Sequence, residues 1–167
     1  WSSDVCSSDL AMNISLHFES RLQASPEQLW RWITSVDGIL REIRPLLSMS
    51  VPPGIRSLED LEVVPRRPLF RSHMRLFGLL PLGTSQLTLL ELTPGRGFIE
   101  QSPMTGMRLW RHERRILPAP GEAGECLLVD QLTVRPLFAA GLVRWFLTRI
   151  FRHRHRVLCR QFRTDRR

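Results

Sequence analysis

The stretch 137–162 constrains this chain most. It contains no proline and no acidic residue, and a strand-like run ending at Pro136 precedes it. Apolar side chains recur at Val143, Phe146, Leu147, Ile150, Val157, Leu158 and Phe162, the three-and-four spacing of an amphipathic helix. Arg149, Arg152, Arg156, Arg160 and Arg163 form a cationic stripe on the opposite face. At about 1.5 Å per residue the helix is roughly 40 Å long, so the rest of the chain must supply an apolar surface of matching length.

The preceding sequence supplies strands. Residues 13–22 alternate Ile14, Leu16 and Phe18 with polar side chains, the period of a strand with one buried face. Ser25-Pro26-Glu27-Gln28 reads as a capping-box helix start. That helix carries Leu29, Trp32 and Ile33 inward, and Asp37-Gly38 is expected to break it before a second short helix with Ile39, Leu40 and Ile43. Trp30 and Trp32 are two apart, so only one faces the core squarely. Trp32 is the expected core member, with Trp30 covering surface or the entrance of a cavity. Residues 48–68 hold four prolines and read as a loop with at most one short strand. Strands are then expected at 69–79, 84–93, 97–101, 107–117 and 125–134, divided by Pro81-Leu82-Gly83, Pro94-Gly95, 103–106 and 118–124. Dividers this short suit hairpins and an antiparallel meander. The order of strand, two helices, many strands and a long helix is an α+β pattern, with helices on one side of a curved sheet.

Composition narrows the function classes. A chain of 167 residues suits one domain and buries roughly 70% of its unfolded surface, enough for a core with an internal cavity. All 24 basic residues are arginine and there is no tyrosine, as expected from the codon usage of a GC-rich genome, so the net charge of +8 is weak evidence for an anionic partner. Residues 1–11 are serine-rich and aperiodic, resemble a translated adaptor sequence, and are expected to be a non-native tail before a single domain at 12–167. Cys126 and Cys159 have neither disulfide-framework nor metal-ligand spacing, which points to a reducing cytoplasm. Arg144 and Arg149 interrupt the best apolar run, which falls short of a membrane span. The chain has no nucleotide-binding glycine loop, nucleophile elbow or metal motif, so no cofactor and no metal are expected.

Several segments together carry a family resemblance. These are Asp37-Gly38 after a helix with Trp30 and Trp32, Gly97-Phe98-Ile99-Glu100-Gln101-Ser102-Pro103, Met107 to Glu113 with Trp110 and His112, Leu128-Val129-Asp130, and Phe151 to Arg156. They resemble the START/birch-pollen-allergen-like superfamily, and within it the SRPBCC branch of polyketide cyclase/dehydrase and lipid-transport proteins, over about residues 14–162. The resemblance implies a helix-grip fold: a curved antiparallel sheet wrapped around the long C-terminal helix, with an apolar cavity between them for a lipid, aromatic or polyketide-like ligand. Fold-level likeness alone does not assign an activity.

Strand parity selects candidate residues. In 107–117, Trp110, His112, Arg114 and Ile116 share the face expected to point inward. In 125–134, Cys126, Leu128, Asp130, Leu132 and Val134 share a face that is apolar except for Asp130. A buried carboxylate needs a partner, and His112 and Arg154, the latter on the seam Val143, Leu147, Ile150, Arg154 and Val157, are the candidates. The expected ligand-binding set is Trp110, His112, Leu128, Asp130, Phe146, Ile150 and Arg154, with His112 and Asp130 as candidate catalytic acid and base. The competing reading is an internal ion pair fixing helix to sheet. His153 and His155 lack metal-pair spacing and are expected to be solvated.

The arginine stripe likewise reads first as a solvated helix back. It carries no stacking platform, so no specific nucleic-acid partner is expected. The function expected is therefore binding of a hydrophobic small molecule, without catalysis. A cyclase- or dehydratase-type enzyme using His112 and Asp130 is one alternative, and a membrane-surface or protein adaptor acting through the arginine face, in weak contact with lipid, is another.

Overall fold

A computed structural model describes residues 13–119 and 124–163. The expected tail at 1–11 and part of the 118–124 divider lie outside these residues. The chain runs β1 (Ile14–Leu22), α1 (Pro26–Thr34), α2 (Val36–Ile43), β2 (Leu47–Met49), a 3-10 turn (Leu58–Asp60), β3 (Phe70–Leu76), β4 (Leu80–Leu87), β5 (Leu89–Thr93), β6 (Gly97–Gln101), β7 (Met107–Pro118), β8 (Cys126–Pro136) and α3 (Ala140–Gln161). One antiparallel sheet has the order β1-β8-β7-β6-β5 and a second has the order β2-β3-β4. Strand β1 closes the meander by pairing with β8, Phe18 opposite Asp130. The fold is the expected α+β helix-grip arrangement, with α3 packed against β1, β8 and α2.

Local chemistry explains the element boundaries. Ser25 Oγ accepts from Gln28 N at 3.2 Å while Gln28 Oε1 accepts from Ser25 N at 3.0 Å, the reciprocal capping box that starts α1. The break between the helices falls at Ser35, not at Asp37-Gly38. Ser35 ends α1 and caps α2, its Oγ accepting from Gly38 N at 3.0 Å. Asp37 lies in the first turn of α2 and pairs with Arg41 at 2.9 Å, and Gly38 is needed for close approach, since a Cβ there would sit 2.2 Å from Trp32 O.

Two strand expectations change. The β3–β4 turn lies at 77–79, where Phe77 and Gly78 both take positive φ. Pro81 and Gly83 instead fall inside β4, opposite a register shift at Met74/Arg75; they form a bulge on an edge strand, where proline is tolerated. The expected strand 84–93 divides at Thr88, because Thr88 N donates to Ser102 Oγ at 3.2 Å and the chain passes from one sheet to the other.

Parity holds in the central strands. Strand β8 buries every second residue from Cys126 to Pro136, and β7 buries His112, Arg114 and Ile116. Trp30 is the more buried of the two tryptophans, its Nε1 donating to Glu59 at 2.8 Å. Trp32 is half-buried, edge-on to Phe162, and donates to Glu42 at 3.1 Å. A helix lying between a sheet and two other helices buries more than one stripe, so both rings pack.

Candidate functional site

The inward faces of five elements carry polar groups at one level. Arg114 on β7 sits directly opposite Asp130 on β8, and its Nε and Nη2 donate to the two Asp130 oxygens at 2.7 and 2.8 Å. Its Nη1 donates to Glu42 on α2 at 2.9 Å. Arg154 on α3 reaches the same carboxylate through Nε at 3.0 Å and Nη2 at 2.8 Å. Asp130 also accepts from His112 Nε2 at 2.8 Å and from His155 Nε2 at 3.0 Å, while the other His155 ring nitrogen meets Ser20 Oγ of β1 at 2.8 Å. Two carboxylates and two guanidiniums balance in formal charge, and every one of these side chains is buried.

Asp130 thus accepts four hydrogen bonds, its full capacity. Burial would push its carboxyl up, but the Arg114 guanidinium and then His112 outweigh that and hold it well below the usual carboxylate range. Burial would lower Arg114, and attraction to Asp130 and Glu42 raises it instead. Arg154 is lowered by burial and by Arg114, against the pull of Glu42 and Asp130. Asp130 therefore stays ionised, which makes it an anchor for cations and histidines and a poor proton acceptor.

The apolar interior falls into two clusters. Leu22, Leu29, Ile33, Leu58, Leu89, Phe98, Ile116, Leu128 and Leu158 belong to the first, and Ile43, Leu132, Leu147, Ile150 and Phe151 to the second. Leu58, Leu89 and Phe98 of the first and Ile43, Leu147, Ile150 and Phe151 of the second border a cavity of about 410 Å³ between the two sheets, α2 and α3. The cavity wall is mostly apolar. Its polar members include Glu100, His112, Arg154, Ser72 and Trp110. His112 is wedged edge-on between Phe98 and Phe151, and its Nδ1 lies 3.8 Å from Glu100 Oε2. Glu100 in turn accepts from Ser102 Oγ at 2.5 Å. Ser72 Oγ and Trp110 Nε1 are buried and have no hydrogen-bond partner among the described residues.

Of the residues selected from sequence, Trp110, His112, Phe146, Ile150 and Arg154 border the cavity. Leu128 does not: it is fully buried among Leu22, Leu29, Ile116 and Leu158 in the first apolar cluster. Asp130 is fully enclosed and does not border the cavity itself, though His112, which it holds, does. His155, expected in solvent, is 7% exposed and part of the layer, because the sheet wraps far enough round α3 to bury Phe151, Arg154, His155 and Leu158 together. His153 is half-buried and bonds Arg44 O at 2.6 Å. The arginine stripe is exposed along its length, at Arg149, Arg152, Arg156, Arg160 and Arg163.

Sequence reasoning missed Glu42 and Glu100 and gave Arg114 a face without a role. The signal for Glu100 was available: it shares strand parity with Phe98, two residues earlier. Glu42 follows Ile39 by three, on the inner face of α2. Among the described residues no group of three His, Cys, Asp or Glu side chains is placed to hold a metal ion, and no helix is long and apolar enough to cross a membrane.

Comparison with known proteins supports the architecture. A START superfamily protein from Mycobacterium smegmatis superposes with a TM-score of 0.62 at 10% identity, over 89% of this chain and 96% of that one. The protein XoxI from Bacillus cereus gives 0.62 at 14% identity, over 89% and 94%. DR_A0006 from Deinococcus radiodurans gives 0.55 at 20% identity, over 89% and 98%. At these identities the likeness shows a START-like fold and nothing about a ligand. No curated protein matches the chain. The family described as a domain of unknown function, DUF8410, matches residues 20–162, most of the chain, and the chain belongs to that family.

Proposed function

We propose that the protein binds a hydrophobic small molecule, of lipid, aromatic or polyketide-like character, in the cavity between the sheets and α3. The carrying observation is the cavity itself: about 410 Å³, walled mainly by apolar side chains with a few convergent polar groups, the usual construction of a small-molecule site. Ser72 Oγ and Trp110 Nε1 support the reading. A buried donor without a partner costs about 1–3 kcal/mol, and a ligand oxygen would relieve that cost. The free thiols Cys126 and Cys159 fit a reducing compartment such as the cytoplasm. Native mass spectrometry of protein purified from its own host tests the proposal. The expected result is one co-purifying apolar mass per chain, lost in Met74→Trp, which fills the cavity, while the melting temperature holds. A wild-type protein that carries no ligand and takes up no fatty acid or aromatic probe refutes it.

A second reading rests on the His112–Asp130 hydrogen bond at the cavity wall. In a cyclase- or dehydratase-type enzyme, His112 would exchange a proton with the ligand while Asp130 orients its ring. His112→Ala separates the two: an enzyme loses turnover with its fold intact, whereas a binder keeps the ligand and changes only affinity or selectivity. The saturation of Asp130 by Arg114 and His155 favours binding.

A further inference from the structure

Large apolar side chains are exposed mainly on two segments. Phe77, Leu79, Leu80 and Leu82 lie on the β3–β4 hairpin, with Leu79 81% exposed. Leu137, Phe138, Leu142 and Trp145 lie on the approach to α3 and its first turns, with Phe138 73% exposed. The turn at 104–106 joins the two segments. Thr84 N donates to Thr105 Oγ1 at 3.0 Å and Thr105 N to Thr84 O at 2.9 Å. Gly83 lies so close that a Cβ would meet Thr105 at 2.5 Å. On the other side, Leu137 N donates to Gly106 O at 2.9 Å. Leu82, Gly83, Thr105, Gly106 and Phe138 all border the cavity, so two of the exposed apolar groups lie on its wall and the others flank them, an apolar rim at this end of the cavity.

The rim has one sign of charge. Residues 75–84, 104–108 and 135–149 contain no aspartate or glutamate, and Arg75, Arg108 and Arg144 are exposed within them. Helix α3 begins there at Ala140, and the preceding Ala139 offers its first-turn N–H groups no side-chain acceptor, so the positive end of the helix dipole adds to the field. Apolar side chains with a tryptophan, interspersed with arginine, match the interfacial region of a lipid bilayer with anionic headgroups. A protein partner would have to offer an acidic and apolar face of the same shape, and no observation here calls for one.

We propose that this rim docks reversibly on an anionic lipid bilayer and sets the cavity mouth against the membrane. The docking surface is thereby the rim, distinct from the exposed arginine stripe on the back of α3. It extends the ligand-binding reading by naming the surface at which an apolar ligand would enter and leave.

The test is co-sedimentation of the full chain with large unilamellar vesicles, either of pure phosphatidylcholine or with about one third phosphatidylglycerol, at low and high salt. The anionic vesicles are expected to bind at least tenfold more tightly, and salt is expected to weaken them, because headgroup attraction is screened. Leu79→Asp/Leu80→Asp, at two exposed positions, is expected to reduce that binding at least tenfold while native mass spectrometry shows the cavity ligand retained. Arg152→Glu/Arg156→Glu on the back of α3 is expected to leave most of it. Wild type that ignores anionic vesicles overturns docking without touching the ligand-binding reading. Binding lost in the Arg152/Arg156 variant but kept in the Leu79/Leu80 variant also overturns it. So does a concentration-dependent dimer that the Leu79/Leu80 variant abolishes in the absence of vesicle binding, which would assign the rim to a second copy of the chain. Vesicle binding by protein that never carries a ligand sustains the docking and sinks the ligand reading alone.

Discussion

Replacing Arg114 with methionine tests whether the buried polar layer holds the fold together. Arg114 is fully buried and places three of its nitrogens on two carboxylates, with contacts of 2.7 and 2.8 Å to Asp130 and 2.9 and 3.2 Å to Glu42. Methionine keeps the apolar stem and removes the charge. Asp130 then retains only its two histidine donors, and Glu42 retains Arg154 and Trp32. Summing the lost bonds would overstate the effect, since forming the layer already costs the desolvation of each charge. The measurable quantity is the penalty for leaving a buried carboxylate undercompensated, about 3–5 kcal/mol. For a domain of this size that corresponds to a fall in melting temperature of about 6–20 °C. Urea unfolding followed by tryptophan fluorescence and far-UV circular dichroism measures it, with the m-value unchanged if the native state stays compact. Arg114→Met/Asp130→Asn should be less destabilised than the sum of the two single variants by about 1 kcal/mol or more, because the second change removes the charge stranded by the first. A single-variant loss below about 1 kcal/mol, or strict additivity, would refute the reasoning.

Gly38→Ala sets two effects against each other. The helix propensity of alanine gains about 1 kcal/mol, but its Cβ would stand 2.2 Å from Trp32 O and 2.7 Å from Ser35 Oγ, and overpacking of that kind costs about 1–3 kcal/mol. A net loss in a thermal melt is expected, and a stabilised variant contradicts the close approach at the α1–α2 junction. Acid should weaken the fold through Asp130, whose folded-state carboxyl is held below its ordinary value. Its contribution is fully present above the unfolded value of about 3.9, and is lost as pH falls from there through the depressed folded value. Unfolding free energies between pH 6 and pH 2 should fall less steeply in Asp130→Asn than in wild type. Equal slopes would show that other carboxylates, such as Glu91, carry the acid sensitivity.

What the sequence disclosed was the period of each element; depth and partnership stayed hidden. Alternation identified β1, turn residues bounded β6, β7 and β8, and strand parity put His112, Arg114 and Asp130 on inward faces, because a two-residue period leaves only two choices of face. The capping box at Ser25 was equally legible, since its bonds lie within four residues. Pro81 and Gly83 misled because turn residues also make bulges, and only the pairing partner distinguishes the two. His155 was misread because a helical wheel assigns one stripe to the core, whereas a sheet that curls round a helix buries a wider arc. The roles of Glu42 and Arg114 emerge only when α2, β7 and β8 meet, 72 residues separating Arg114 from Glu42.

The position of the layer explains why so many charges are buried at once. Along β8 the inward residues read Cys126, Leu128, Asp130, Leu132, Val134, so on this strand a single polar step separates the two apolar clusters, and α3 repeats the arrangement with Leu158, Arg154 and Ile150. Apolar contacts are nondirectional and would let a helix slide along its sheet to close a hollow. Moving α3 by one turn would bring Ile150 or Leu158 to the level of Asp130 and Glu42 and leave both carboxylates without the Arg154 and His155 donors. Partial collapse therefore strands buried carboxylates without their donors, a cost that opposes the apolar surface it would bury. Directional bonds at the cavity floor are what allow an interior to stay hollow above them, and Arg154 serves both ends, anchored on Glu42 while its side chain borders the space a ligand would fill.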